Sequence, residues 1–147
     1  MTTTRRRRRQ AGFTLIEIMV VLVIIGLLMA LVGPNLIGQS EKAKVKSAQI
    51  QIERLGTVLD TYRLDVGRYP STQEGLNALV MKPVGVERWD GPYLNKNVPK
   101  DPWDRPYIYR SPGDSGRPYD LYCLGADGAP GGQGENRDVT SWGDGNG

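Results

Sequence analysis

From Phe13 to Val32 the chain is apolar except for Thr14, Glu17 and Gly26, and five consecutive arginines, Arg5 to Arg9, stand just before it. As a helix, such a run covers about 30 Å, the thickness of a bilayer's hydrocarbon core. It has no alternating polar face, so periodicity alone leaves a buried core helix open. Length and flanks favour a membrane-spanning segment. A 147-residue chain rarely encloses so long an apolar cylinder, and the arginines read as the cytoplasmic anchor of a positive-inside segment. An ordinary secretory signal peptide is the rival reading, and would leave a soluble protein starting near Gly33. Against it, the run is longer than a usual signal core, contains Glu17 and lacks a small-x-small site before Gly33.

Glu17 is the anomaly. A carboxylate at the centre of a spanning helix costs about 2.5 to 3.5 kcal/mol, and such residues are usually paired and functional. Near the cytoplasmic end that cost is small, and a helix N-terminus favours an anion. The alternative is that cleavage after Gly12 frees a positive amine on Phe13. Glu17, fifth in the new chain, then meets the amine of its own or a neighbouring subunit. The second reading is preferred, because a simple anchor has no use for an acid.

The basic leader, Gly12, the following Phe13-Thr14-Leu15-Ile16-Glu17 and the long apolar helix resemble the processing site of type IV pilins and related pseudopilins. That resemblance implies a membrane aspartic peptidase that cuts between Gly12 and Phe13 and methylates the new N-terminal Phe13. It also implies that Glu17 guides docking of subunits into a helical filament.

The formal charge of +3 comes from the leader: residues 1–12 carry five arginines and no acid, so the processed chain stands at −2. A polybasic run can be a nucleic-acid arm, but directly before an apolar segment it is better explained by topology. The 19 glycines and 10 prolines predict a loop-rich domain with a modest core. The single cysteine, Cys123, forbids an internal disulfide.

Gly33-Pro34 is expected to weaken or bend the helix, which then resumes. Val45, Ala48, Ile52, Leu55, Leu59 and Tyr62 recur at steps of three and four, a narrow apolar stripe that predicts packing on the chain's own domain rather than a free coiled coil. The expected spine runs from Phe13 to about Leu64. Gly67 and Pro70 end it, and Ser71-Thr72-Gln73-Glu74 has capping-box spacing ahead of a short helix through Leu76, Leu79 and Val80. Residues 81–100 read as a surface loop with a short strand at Tyr93-Leu94. Tyr107-Ile108-Tyr109 and Tyr119 to Leu124 suit an antiparallel hairpin.

Leu64-Asp65-x-Gly67-Arg68-Tyr69-Pro70, Gly75-Leu76-x-Ala78-Leu79, Asp101-Pro102-Trp103 and Leu124-Gly125-Ala126-Asp127-Gly128 resemble the major pseudopilins of type II secretion systems. With the leader, the resemblance covers nearly the whole chain. The chain departs from the family at Asp104, where glycine is frequent, in its long arginine run and in a glycine-rich tail after Trp142. The resemblance implies an α+β fold: a long N-terminal helix, half membrane and half amphipathic, packed on a small antiparallel sheet with a calcium-bound C-terminal loop. The segments are then a cleaved leader (1–12), a transmembrane and assembly helix (13–33), an amphipathic periplasmic helix (34–66), a globular domain (67–142) and a tail (143–147).

In residues 124–142, glycines crowd with Asp127, Glu135, Asn136 and Asp138 in a loop too polar to fold on apolar burial alone. Calcium, a hard cation wanting six to eight oxygens, is a natural staple for such a loop. The spacing is not that of an EF-hand, and one partial glycine-aspartate repeat is weak, so a flexible polar loop stays open on composition. The resemblance implies calcium here, with side-chain oxygens from Asp127 and Asp138 and carbonyls from Leu124 and Ala129.

An enzyme finds little support. There is no histidine, and Cys123 sits in an apolar strand where core packing is the better reading. The acidic processed chain would also repel phosphate, which argues against nucleic acid as a partner. What the resemblance implies is a structural subunit, single-pass in the inner membrane with a periplasmic C-terminal domain, forming a helical homopolymer that drives export of folded proteins. Its implied partners are itself, minor pseudopilins, the prepilin peptidase, the inner-membrane secretion platform and membrane lipid. A type IV pilus or competence pseudopilin subunit is the alternative.

Overall fold

The computed structural model describes residues 12–143, without the side chains of residues 31–39. The leader up to Ala11, the tail beyond Gly143 and the bend expected at Gly33-Pro34 therefore lie outside what is described. Helix α1 runs over Leu15–Val66, two residues inward of the expected start and two beyond the expected end. The chain divides into two compact units, Met1–Gly38 and Gln39–Gly147.

In the first unit, Thr14 starts the helix. Its hydroxyl accepts from the Glu17 N–H at 3.3 Å, and its carbonyl accepts from Glu17 and Ile18. A threonine oxygen thus satisfies a donor that the first turn leaves without an intrahelical partner. Among the described residues no helix is long and apolar enough to cross a membrane. The apolar run has described side chains only as far as Ala30.

In the second unit, the stripe read from the sequence is the core. Val45, Ala48, Ile52, Leu55, Leu59 and Tyr62 are all buried, in one cluster with Leu76, Leu79, Tyr107, Leu121, Cys123 and Val139. Polar helix residues face away or bond back: the Thr57 and Thr61 hydroxyls donate to the carbonyls of Glu53 and Thr57, four residues earlier, the bond a threonine inside a helix makes to its own backbone. Gly67 closes α1 as expected. Its φ of 89° is left-handed and its N–H bonds the Arg63 carbonyl at 2.8 Å, a geometry glycine adopts without a Cβ penalty.

The capping box at Ser71 forms. Ser71 N–H donates to Glu74 Oε2 at 2.7 Å and Glu74 N–H to Ser71 Oγ at 3.2 Å. What it opens is a turn followed by the short helix expected there, a 3-10 helix over Leu76–Leu79 with Val80 at its C-terminal cap. The strand expected at Tyr93-Leu94 does not form. Both N–H groups instead converge on one acceptor, the Leu79 carbonyl, at 2.8 and 3.1 Å, and Tyr93 packs edge-on against Tyr62. Aromatic packing onto α1 here overrides the strand preference of the two side chains.

The hairpin forms: β1 is Ile108–Arg110, as long as expected but shifted by one residue, and β2 is Asp120–Cys123, shorter by one residue at each end, antiparallel with Tyr109 opposite Leu121. A third strand not anticipated, β3 (Val139–Thr140), pairs antiparallel with β2 and places Val139 opposite Cys123. The sheet order is β1-β2-β3. Leu121 and Cys123 alternate onto the core face.

Candidate functional site

Two places carry the residues singled out by sequence. At the N-terminal end, Gly12, Phe13 and Thr14 precede the helix, and Phe13 is 79% exposed. The Gly12-Phe13 bond thus lies in non-helical chain. Glu17 lies in the first helical turn, and its carboxylate has no partner among the described residues. Three residues lie between it and Phe13, which itself precedes the helix. Thr14 was missed as a cap, although Thr14-x-x-Glu17 has the spacing that signals one. Beyond Glu17, every large apolar side chain from Ile18 to Met29 is exposed by 45% or more.

The second place is the loop joining β2 to β3. Gly128 N–H bonds the Leu124 carbonyl at 3.0 Å, and Ala126 N–H bonds the Glu135 carbonyl at 3.0 Å. Two carboxylates stitch its first part: Asp127 Oδ1 accepts from Ala129 N–H at 3.1 Å, and Asp138 Oδ2 from Gly131 N–H at 3.0 Å. Asp138 Oδ1 is buried with no hydrogen-bond partner among the described residues, an arrangement that costs energy unless something positive faces it. Asp127 is exposed. The backbone is packed tightly enough to require glycine at Gly125, whose φ is 51° and where a Cβ would come within 2.6 Å of the Asn136 and Arg137 carbonyl oxygens.

Of the four residues expected here, Asp127 and Asp138 are therefore brought to the two ends of one short segment. Leu124 already offers its carbonyl to Gly128. Among the described residues no group of three or more histidine, cysteine or acidic side chains is placed to hold a metal ion. Any cation in this loop would lean on backbone oxygens.

Sequence reasoning also missed Arg105. Its guanidinium donates to the Gly125 carbonyl, lies over the Trp103 ring at 5.7 Å and approaches the buried Asp101 carboxylate at 3.5 Å. A Cβ at Gly128 would overlap it. The local pattern Asp101-Pro102-Trp103 marks the turn but not where the next arginine reaches. Cys123 is 1% exposed, and burial pushes its thiol up to about 11, which makes it a core residue and a poor nucleophile at neutral pH.

Comparison with known proteins bears on both places. Residues 7–33 match the prokaryotic N-terminal methylation motif, and residues 35–142 match the family described as type II secretion system protein G. The chain is 49% identical to the type II secretion system core protein G of Pseudomonas aeruginosa, over 93% of this chain and 98% of that one. It is 48% identical to the protein of the same description from Vibrio cholerae, over 94% and 95% of the two chains. The crystal structure of the major pseudopilin from the type 2 secretion system of enterohaemorrhagic Escherichia coli superposes with a TM-score of 0.58 at 38% identity, covering 74% of this chain and 95% of that one. These relatives favour the secretion reading over a pilus or competence subunit. With a methylation motif at its start and the family's domain over the remainder, the chain belongs to the protein G family of type II secretion systems, the major pseudopilins.

Proposed function

We propose that this chain is the structural subunit of a pseudopilus: cut between Gly12 and Phe13, methylated on Phe13, held in the inner membrane of a Gram-negative bacterium and polymerised into a periplasmic filament that drives folded proteins outward. The observation that carries it is the helix directly after the processing motif, whose apolar side chains from Ile18 to Met29 are exposed all round. So large an apolar surface needs a cover. Lipid supplies it before assembly, since the apolar sequence continues to Val32, about one bilayer thickness from Phe13. The same helix in neighbouring copies supplies it afterwards.

Glu17 makes that exchange selective. Leaving the bilayer is favourable where the Phe13 amine of a neighbouring subunit compensates its carboxylate. The minor pseudopilins, the prepilin peptidase and the inner-membrane platform are the further partners of this reading. No catalysis by the chain itself is required.

Calcium staples the β2–β3 loop in this reading, with Asp127 and Asp138 giving side-chain oxygens and Leu124 and Ala129 giving carbonyls. The buried, unpartnered Asp138 Oδ1 supports it. A hard cation satisfies such an oxygen and ties Asp138, next to β3, to the turn after β2.

Mass spectrometry of the protein from membranes tests the pathway: the expected mature chain starts at N-methylated Phe13. Glu17→Ala should leave that processing intact and abolish filaments. A chain still starting at Met1, or normal filaments from the variant, would refute the assignment.

A further inference from the structure

Asp101 is a buried acid, 5% exposed, at the start of a turn that folds back on it. Its Oδ1 accepts from the N–H groups of Trp103 and Arg105 at 3.0 and 2.8 Å, and its own N–H donates to the Arg105 carbonyl at 2.8 Å. Asp104 makes the turn with a left-handed φ of 65°, a conformation that aspartate adopts more readily than most residues. The Arg105 side chain returns over the same acid. Arg105 Nε and Asp101 Oδ2, both buried, have no hydrogen-bond partner among the described residues and face each other at 3.5 Å as charges. Trp103, whose ring lies 5.7 Å from the guanidinium, donates its indole N–H to Glu41 of α1 at 2.9 Å. Backbone and side chain of Arg105 are thus both fixed to a frame that reaches the long helix.

Both terminal nitrogens of this fixed arginine meet the β2–β3 loop. Nη2 donates to the Gly125 carbonyl, and Nη1 occupies the space that a Cβ at Gly128 would need. Gly125 is where the two limbs of the loop cross, since a Cβ on it would come within 2.6 Å of the Asn136 and Arg137 carbonyl oxygens. A donor held on Gly125 therefore steadies both limbs. The turn from Leu124 to Ala129 carries three of the four residues expected to ligate calcium, and Asp127, Ala129 and Pro130 are exposed, so apolar burial does little to hold it. A guanidinium bond to a carbonyl is charge-assisted and roughly twice as strong as a neutral one.

We propose that Arg105 is the positioning residue of this loop: its guanidinium, fixed by Asp101 and Trp103, holds the Leu124–Ala129 turn formed before any ion enters, and so sets how tightly the loop takes calcium. This rests on the calcium reading above and names the group in the chain that governs it. Two effects of an arginine beside a cation site oppose one another. Its charge repels the ion, whereas its hydrogen bond removes the cost of ordering the turn on binding, since affinity falls with the fraction of molecules in the competent shape. Asp101 decides between them. Its carboxylate, 3.5 Å from Nε, offsets the guanidinium charge at longer range, and the ordering remains. The division of labour within the loop fits: the Gly125 end is tied by Arg105, while at the other end a buried Asp138 oxygen has no hydrogen-bond partner among the described residues.

The test compares Arg105→Gln and Arg105→Lys with the parent, as full-length processed protein in detergent. In chelator, hydrogen exchange at the Ala126 and Gly128 amides, whose bonds of 3.0 Å close the loop, should quicken about tenfold or more in Arg105→Gln relative to the amides of β2, the worth of one charge-assisted bond. Calorimetric titration should show calcium bound about tenfold more weakly, as when a group that orients a metal's ligands is removed. The melting midpoint does not decide, because Asp101 loses its charge partner in that variant. Arg105→Lys keeps a charge beside Asp101 but has a single amine in place of the fork, and should fall between parent and glutamine variant in both readings; it carries the test alone should the glutamine variant not fold. Tighter calcium binding in either variant would mean that repulsion governs and overturn the proposal, as would exchange and affinity that match the parent. A parent that takes up no calcium would instead overturn the calcium reading, and the exchange rates in chelator would still decide whether Arg105 orders the turn.

Discussion

Arg68 and Glu74 meet in a two-point pair, Nη1 on Oε2 and Nη2 on Oε1, both at 2.7 Å. The same Glu74 carboxylate also accepts the Ser71 N–H, so one acid closes the capping box and anchors the segment that follows α1. The Arg68 bonds first, then those from Ser71, hold the Glu74 carboxyl down to about 2, against an opposing cost of burial. Because the folded value lies below the ordinary 4.5, this stabilisation is complete above 4.5 and is lost as pH falls from there through about 2. Glu74→Gln should flatten that part of the stability curve and cost about 1 to 2 kcal/mol at pH 7, Arg68 being half exposed. Urea titrations of both proteins between pH 7 and pH 2 check it; parallel curves would remove the pair from the account.

Leu59 is fully buried on the helix stripe, whereas Leu64, five residues on, is 77% exposed. Leu59→Ala should cost about 2 to 5 kcal/mol through lost burial and a residual cavity, and Leu64→Ala no more than about 0.5 kcal/mol. Equal losses in chemical denaturation would mean that the apolar face of α1 is misassigned.

Cys123 gives a reporter of opening. Its thiol is enclosed in the core, and burial is the first cause of its raised value of about 11. At pH 8 an aromatic disulfide reagent should label it only as fast as the domain unfolds, with full labelling in denaturant. Rapid labelling of the native protein would contradict its place beside Val139 in the sheet.

Asp138 should decide the response of the loop to cations. Calcium should raise the melting midpoint of the parent and leave that of Asp138→Asn unchanged, since a bound ligand stabilises in proportion to its occupancy. Differential scanning calorimetry with calcium and then with chelator reads both. A parent whose midpoint ignores the chelator would remove calcium from the loop.

Much of this was legible in the order of residues. The processing motif around Gly12 and Phe13, the buried stripe from Val45 to Tyr62, the stop at Gly67 and the Ser71–Glu74 box are all set by spacings of a few residues, where a helix turn or a cap fixes which groups meet. Strand β3 was not legible. Val139–Thr140 is only two residues long, too short for an alternating pattern, and exists because β2 offers it an open edge. Tyr93-Leu94 failed in the reverse sense: its composition favours a strand, yet among the described residues no strand pairs with it, and Tyr93 packs on Tyr62 instead.

The sequence by itself determined the long helix, the apolar face it buries and the methylation motif ahead of it, because those depend on neighbours within a turn. Only the tertiary structure decided which distant groups close the domain. Trp103 donates its indole N–H to Glu41 across 62 residues of chain, and Tyr107 donates to Gln51 across 56. Arg105 reaches the Gly125 carbonyl, and one buried oxygen of Asp138 has no hydrogen-bond partner among the described residues. Such pairings follow from where α1, the sheet and the loop come to rest once the common core is buried, and no local spacing encodes that geometry.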